Sequence, residues 1–194
     1  MNENEREETI KELVIILKEI HKSSVDRTYD WVKYIKEKIL NYYEKVKNYF
    51  SAEEQELIEK SFKEYDKYLS ENQFAFIHND LHFDNIIKNE KGLFLIDFND
   101  AMVAPIDYEF RILYMCKDTP WKWANIEMDP YQKTEDYKNI DIYIKKYYED
   151  FSKIEHIDKR MIIYRVLNDM GLLSRLDNDE LKENILKYSS DLVK

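Results

Sequence analysis

The feature that most constrains this chain is a polar stretch, Phe76 to Asn85, enclosed on both sides by apolar segments. The residues after it alternate as strand, turn and strand, and the turn at Asn89–Gly92 ends in glycine, which predicts a β-hairpin. Because a hairpin folds back on itself, we expect Asp97, which follows the second strand, to lie near Asn85. The apolar segments are Phe74 to Ile77, Ile86-Ile87 and Leu93 to Ile96.

The spacing of the polar residues suits phosphoryl transfer. That reaction needs a carboxylate beside the acceptor hydroxyl, and Mg²⁺ to neutralise the phosphates. In the kinase template, an Asp and a metal-binding Asn share one loop, and a second metal-binding Asp follows a hairpin. The motif His78-x-Asp80-x4-Asn85 has the first spacing, and Ile96-Asp97-Phe98 supplies the second element.

On these motifs, residues 10 to 115 resemble the catalytic half of the aminoglycoside phosphotransferase and choline kinase-like superfamily, whose members share the protein-kinase-like fold. The resemblance implies that Asp80 is the catalytic base that receives the substrate hydroxyl proton. It implies that Asn85 and Asp97 hold Mg²⁺. It also implies supporting roles for His78, which would brace the loop, and for His82 and Asp100.

Two further positions are interpreted through the same resemblance. Asn99 stands where the family often has Gly. Asp97, the metal-binding residue of the motif, is kept, but the Gly that is typical of a loop able to flip is absent. In the segment that leads into the next helix, the family has an acidic residue that hydrogen-bonds back to the catalytic loop. Either Asp107 or Glu109 fits that role.

A zinc site is the alternative interpretation of the two loop histidines. His78 and His82 are four residues apart, which is the zincin spacing, and His21 and His156 are the other histidines. A zincin, however, carries Glu directly after its first His, on a helix. Asn79 occupies that position here, so the pattern favours the kinase-like interpretation.

Composition excludes several classes of protein. The net charge is −10 with both signs mixed along the chain, which argues against a nucleic-acid partner. The longest aliphatic run, Leu13 to Leu17, is too short to cross a bilayer, and no signal pattern opens the sequence. A single cysteine, Cys116, allows no internal disulfide, which predicts a cytoplasmic protein. Its apolar surroundings predict a buried packing role rather than a nucleophile.

Helical periodicity on both sides of the hairpin predicts a mainly helical α+β fold, with helices around one small hairpin that bears the catalytic loop. A third helix opens at the Ser51–Glu54 capping box, and a last one is capped within Asp177–Glu180 and ends near Leu192. The other predicted helices cover residues 6–21, 29–49, about 106–115, 134–150 and 157–174.

Glycine is unusually scarce, and neither Gly92 nor Gly171 belongs to a phosphate-cradling loop. A complete kinase of this kind has a small lobe with such a loop and a strand Lys that pairs with a helix Glu. No such pattern precedes residue 76, and Leu17 to His21 resembles the helix end that opens the family's large lobe. We therefore predict one domain over residues 1–194, a kinase-like large lobe without the N-terminal nucleotide-binding lobe.

The predicted function is Mg²⁺-dependent transfer of a phosphoryl group from ATP or GTP to a hydroxyl of a small molecule. The resemblance implies an aminoglycoside, a choline-like amino alcohol or a sugar as acceptor. Trp121 and Trp123 form either a wall for a cationic substrate or a buried corner. The alternative is an inactive lobe kept as a stable fold or binding module, whose exposed apolar surface favours self-association or a partner with the missing lobe.

Overall fold

The computed structural model describes residues 2–23, 25–26, 29–70, 73–120 and 133–194. Contacts divide the chain into two compact units, residues 1–27 with 73–154 and residues 28–72 with 155–194. The single-domain organisation stays a prediction. In chain order the elements are α1 (Glu3–His21), α2 (Trp31–Val46), α3 (Ala52–Lys63), α4 (Tyr65–Leu69), β1 (Phe74–Ile77), β2 (Ile86–Asn89), β3 (Gly92–Leu95), β4 (Met102–Pro105), α5 (Ile106–Glu109), α6 (Arg111–Cys116), α7 (Thr134–Tyr137), α8 (Ile140–Tyr147), α9 (Glu149–Ser152), α10 (Ile157–Leu173) and α11 (Asp179–Val193), with 3₁₀ turns at Lys47–Tyr49 and Phe83–Asn85.

The predicted mainly helical α+β fold is confirmed, with differences in detail. The predicted helix over 134–150 is three short helices, α7 to α9. The helix that opens at Ser51 is interrupted at Glu64, which ends α3 and begins α4. Besides the predicted hairpin, the described residues contain a second two-stranded sheet.

The first unit contains both sheets and the polar loop. Strand β1 pairs antiparallel with β4, from Phe74 opposite Pro105 to Ile77 opposite Met102. The hairpin pairs β2 with β3, from Ile86 opposite Leu95 to Asn89 opposite Gly92. Strand β1 leads into the polar loop beside Met102, the first residue of β4. Strand β4 leads into α5 at the opposite end of the sheet, where the Ile106 N–H donates to the Gln73 carbonyl at 3.1 Å.

Helix α1 packs against β1 and α8 within this unit. Its N-terminus has the capping box formed by Asn2 and Glu5, which satisfies backbone N–H groups that have no partner within the helix. The apolar stripe predicted for this helix comprises Ile10, Leu13, Val14, Leu17 and Ile20. All of these are buried except Ile20, which is half-buried, and the buried face continues to His21. The end of α1 therefore lies in the interior rather than in solvent.

The second unit is entirely helical in its described residues, with α10 packed against α2, α4 and α11. Trp31, fully buried, stacks on Tyr34 with ring centroids 5.3 Å apart and contacts Tyr164 edge-on. The buried Arg160 donates to the carbonyl of Tyr68 at 3.0 Å. Across the described residues of both units, no helix combines the length and apolar character of a membrane span.

An acid-sensitive contact joins α1 to α8. The Tyr143 hydroxyl and the Asn139 side-chain amide both donate to the Glu3 carboxylate, which also binds Arg6. These bonds, that from Tyr143 foremost, lower the pKa of Glu3 from 4.5 to about 2. The folded state therefore binds this proton less readily than the unfolded chain does.

We expect Glu3→Gln to reduce the loss of stability in acid. Because the folded pKa is lowered, the contribution of Glu3 is complete above pH 4.5 and is lost as the pH falls towards about 2. Urea unfolding at about pH 6 and about pH 3 measures the change in the free energy of unfolding with pH. The variant lacks the part of this change that Glu3 causes. Glu8→Gln, whose carboxylate bonds to Lys11 on the same helix, is the control. An unchanged pH dependence in Glu3→Gln would contradict the assignment.

Candidate active site

The polar loop connects β1 to β2 and is anchored at both ends. His78 and Leu81 are fully buried, and the 3₁₀ turn Phe83–Asn85 closes the loop into β2. The backbone N–H of Asn85 donates to the carbonyl of His82 at 3.1 Å. The loop is thus a compact turn whose polar side chains have fixed positions.

The loop brings Asp80 and Asn85 together. The Asn85 side-chain amide donates to the Asp80 carbonyl at 2.8 Å and to Asp80 Oδ2 at 3.2 Å. Two acceptors on one side fix the orientation of the amide, with Nδ2 towards Asp80. Asp80 is partly open to solvent, with 37% of its side chain exposed, and its other oxygen, Oδ1, has no hydrogen-bond partner among the described residues.

His82 lies beside the same pair. Its Nε2 is 3.3 Å from Asp80 Oδ2 and 3.1 Å from Asn85 Nδ2. A protonated Nε2 donates to the carboxylate, whereas an unprotonated Nε2 accepts from the amide, so only one of these bonds forms in a given state. Its Nδ1 is buried without a partner among the described residues.

His78 braces the loop through both ring nitrogens. Nε2 lies 2.7 Å from the carbonyl of Ile96, and Nδ1 accepts from the backbone N–H of Asp80 at 3.3 Å. Because both nitrogens are engaged with backbone groups, neither is open to a zinc ion. Consistent with this, the described residues contain no group of three or more His, Cys, Asp or Glu side chains that could hold a metal.

Asp97 follows the hairpin in an unusual backbone conformation. Its φ is 60°, in the left-handed region that Asp and Asn enter more readily than most other residues. The Ile96 N–H donates to the Asn85 carbonyl at 3.1 Å, which ties the Asp97 segment to the end of the loop. Asn99 Nδ2 donates to Asp97 Oδ1 at 2.6 Å. The backbone carbonyl of Asp100 accepts a hydrogen bond from Asn79 Nδ2 at 2.9 Å.

Glu109 is the acidic residue that hydrogen-bonds back to the loop. Its buried carboxylate accepts from the His78 N–H at 2.6 Å and from the Asn79 N–H at 3.1 Å. Asp107, the other candidate, is buried two residues earlier, near the start of α5. The acidic support predicted for the loop is therefore provided by Glu109.

Behind Glu109, the end of α1 adds a buried polar chain. His21 Nε2 lies 3.4 Å from Glu109 Oε2, and His21 Nδ1 lies 2.8 Å from the Tyr148 hydroxyl. A nitrogen that faces a carboxylate carries a proton, so Nδ1 accepts from Tyr148. Burial foremost, with the charges of Asp150 and Glu109, raises the pKa of Tyr148, which keeps this hydroxyl protonated as the donor. In the sequence, His21 was identified only as a further histidine and as the end of the family-like segment Leu17 to His21.

Arg111 is a site residue that the sequence analysis missed. Its guanidinium donates to the carbonyl of Asn79 at 2.7 Å and to that of Tyr108 at 2.9 Å. It also lies over the Tyr108 ring, 3.9 Å from the centroid. A charged residue inside the apolar run of α5 and α6 requires polar partners. This requirement was the sequence signal that could have identified Arg111 as a site residue.

The oxygen atoms at this site fit Mg²⁺ better than a softer metal. Asn85 Nδ2 makes all the hydrogen bonds that this side chain forms with described residues, which leaves Oδ1 as a free acceptor. Asp97 Oδ1 accepts a hydrogen bond from the Asn99 side chain, whereas Asp97 Oδ2 has no hydrogen-bond partner among the described residues. Mg²⁺ takes few protein ligands beside water and phosphate oxygens, so one amide and one carboxylate oxygen suit it.

Three other residues were interpreted from the sequence. Cys116 is fully buried, and burial raises the pKa of its thiol to about 12, as expected of a packing residue. Trp121 and Trp123 fall outside the described residues.

Comparison with known families agrees with this geometry. A sequence model described as the phosphotransferase enzyme family matches residues 1–139, a span that includes the polar loop, the hairpin and Glu109. A search of curated proteins found no match. The family match covers more than half of the chain and confirms the resemblance inferred from the loop and hairpin motifs. The chain belongs to the phosphotransferase enzyme family.

Proposed function

We propose that this protein is the catalytic lobe of a small-molecule kinase, which transfers the terminal phosphoryl group of a nucleoside triphosphate to an acceptor hydroxyl. The observation that carries the proposal is the Asp80–Asn85 pair, joined at 3.2 Å in a loop held by the buried Glu109. Family membership supports phosphoryl transfer as the reaction class. ATP, GTP and the acceptor class belong to the proposal.

Asp80 acts as the base in this proposal. Asn85 holds Asp80 Oδ2, which leaves Oδ1 to receive the proton of the acceptor hydroxyl. The acceptor oxygen then forms its bond to the terminal phosphorus as the bond to the bridging oxygen of the diphosphate breaks. Such transfer depends on positioning and charge stabilisation, so the rigid loop is the main contribution of these residues.

Asn85 and Asp97 would hold Mg²⁺ through the oxygens that have no partner among the described residues. When bound, Mg²⁺ neutralises the charge of the donor phosphates. Asn99 holds the Asp97 carboxylate by one oxygen, and His78 holds the backbone before it. These contacts orient Asp97 without a cation, and the bonds from Asn85 Nδ2 to Asp80 orient Asn85 in the same way.

The acceptor is proposed to be a small molecule with a hydroxyl, such as an aminoglycoside, a choline-like amino alcohol or a sugar. The chain carries 40 acidic against 30 basic residues, which suits a cationic acceptor. Trp121 and Trp123 are candidates for contact with that cation.

A binding module without turnover is the second candidate function. In the described part of the chain before Phe74, every regular element is helical, whereas a nucleotide-covering lobe needs strands, a glycine-rich loop and a Lys. The hairpin also exposes Ile87 and Phe94, which pair across the strands, each with 44% of its surface accessible. We propose that a nucleotide-covering lobe or a second copy of the chain covers this face.

The test is phosphate transfer by residues 1–194 with Mg²⁺, labelled ATP or GTP and a panel of amino alcohols, aminoglycosides and sugars. We expect low turnover, since the donor is held from one side, and we expect Asp80→Ala to abolish what is observed. Glu90→Gln is the matched control, because Glu90 is exposed in the hairpin turn and should leave turnover unchanged. Equal, measurable turnover in wild type and Asp80→Ala would contradict Asp80 as base, whereas no turnover in either would favour the binding module.

A further inference from the structure

Asn79, which lies between His78 and Asp80, forms hydrogen bonds through its backbone N–H, its carbonyl and its side chain. Its N–H donates to Glu109 at 3.1 Å, and its carbonyl accepts from Arg111 at 2.7 Å. Its side-chain Nδ2 donates to the carbonyl of Asp100 at 2.9 Å. The backbone bonds hold Asn79 on the α5–α6 segment, while the side chain reaches the segment that carries Asp97.

The Asp97 segment is held at both ends by consecutive loop residues. The His78 ring bonds the carbonyl of Ile96, just before Asp97, and the Asn79 side chain bonds the carbonyl of Asp100, three residues after it. Between these points, the Ala101 N–H donates to the Phe98 carbonyl at 3.1 Å and closes a turn. Asp97 thus keeps its left-handed φ between two attachments to one loop.

We propose that Asn79 is a positioning residue that couples the loop bearing Asp80 to the segment bearing Asp97. This inference rests on the proposed function, in which Asp80 is the base and Asp97 a cation ligand. The His78 and Asn79 bonds keep Asp97 in one backbone conformation, so the cation ligand and the base are fixed relative to each other. Asn99, in place of the more flexible Gly, agrees with a segment that does not flip.

The residue type at position 79 fits this role. The backbone φ is 68°, which Asn tolerates better than most side chains, and Nδ2 supplies the donor that the Asp100 carbonyl needs. The other amide atom, Oδ1, is buried with no partner among the described residues, which costs stability. Glycine would remove both the cost of the left-handed φ and the unpaired Oδ1, but it would also lose the hydrogen bond to the Asp100 carbonyl. The structure therefore keeps the bond despite a local cost.

The test compares Asn79→Gly with wild type by three measurements: amide hydrogen exchange in the cation-free chain, the dissociation constant for Mn²⁺, and the midpoint of thermal unfolding. Glycine loses the Asp100 bond but relieves the left-handed φ and removes the unpaired Oδ1, so we expect these effects to offset each other and the unfolding midpoint to be nearly unchanged. We expect exchange at Ala101 to rise and Mn²⁺ affinity to fall, each about 3- to 10-fold, the factor that one hydrogen bond contributes. A purely structural role would not weaken Mn²⁺ binding at constant thermal stability.

Three further variants complete the experiment. Asn79→Asp keeps the length and the backbone tolerance but lacks the donor, so it tests the bond if the glycine variant unfolds. His156→Gly relieves the left-handed φ of 56° at a position outside this site and should leave exchange at Ala101 unchanged. Asp97→Ala should weaken Mn²⁺ binding at least about tenfold.

The outcomes separate the two proposals. Unchanged Ala101 exchange in both Asn79 variants would overturn the coupling. Weakened Mn²⁺ binding in Asp97→Ala, with wild-type affinity in both Asn79 variants, would also overturn the coupling and leave the proposed function intact. A wild-type chain that binds no Mn²⁺ would overturn the cation site, while faster Ala101 exchange in Asn79→Gly would still support the attachment of the two segments.

Discussion

Replacement of Glu109 by alanine is expected to lower the free energy of unfolding by about 3 kcal/mol or more. The carboxylate is fully buried and accepts from the backbone N–H groups of His78 and Asn79. Alanine leaves both donors without their acceptor, and each unsatisfied buried donor costs about 1–3 kcal/mol. His21 Nε2, 3.4 Å from the same carboxylate, loses its partner as well.

Urea unfolding with a fixed slope measures this loss. Glu109→Gln is expected to fall between the wild type and Glu109→Ala, since its amide oxygen can accept from one N–H while its NH₂ group faces the other. Glu90→Ala, on the exposed hairpin turn, is the matched control and should change stability by less than about 0.5 kcal/mol. If Glu109→Ala were as stable as that control, the carboxylate would not be holding the loop.

The parts of the fold that follow local patterns were predicted from the sequence. Capping boxes and apolar periodicity are properties of neighbouring residues, and the helix opened by Ser51 begins as predicted. The hairpin was also predicted, because its two strands are joined by the short turn that ends at Gly92. The pairing of β1 with β4 was missed, since Ile77 and Met102 are far apart in sequence and short apolar runs do not reveal their partner.

The predicted site residues differ in what the sequence could say about them. The spacing of Asp80 and Asn85 predicted a common loop, and the structure places them in hydrogen-bond contact. The choice between Asp107 and Glu109 needed the position of α5 relative to the loop, which two residues of spacing cannot give. His21 joined the network through the non-local packing of α1, for which the sequence carries no signal.

Backbone conformation was the least predictable property of the site. Asn79 and Asp97 both have positive φ, and both are residue types that tolerate it. Most Asn and Asp residues in a chain nevertheless have ordinary φ values, so residue type alone does not identify such positions. The two residues were identified only through the hydrogen bonds that hold them. Asn79 bonds to Glu109 and Arg111, and Asp97 bonds to Asn99.

Replacement of Asp97 by alanine is expected to weaken Mn²⁺ binding at least about tenfold, equivalent to about 1.4 kcal/mol. Mn²⁺ is a suitable probe, because it accepts the same carboxylate and amide oxygens as Mg²⁺. The variant removes the one carboxylate proposed to contact the cation. Asn85, whose amide is held by Asp80, keeps the other ligand in place.

General electrostatics has to be separated from a specific site, because a chain with net charge −10 attracts any cation. Glu90→Gln removes one negative charge, as Asp97→Ala does, but from the hairpin turn. At about 0.15 M salt the Debye length is about 8 Å, so a distant charge contributes little and Glu90→Gln should bind Mn²⁺ as the wild type does. Titration of the wild type and both variants, followed by calorimetry or by water relaxation, decides between these explanations. Equal weakening in the two variants would show that Mn²⁺ responds to overall charge, and the assignment of Asp97 as a ligand would then be wrong.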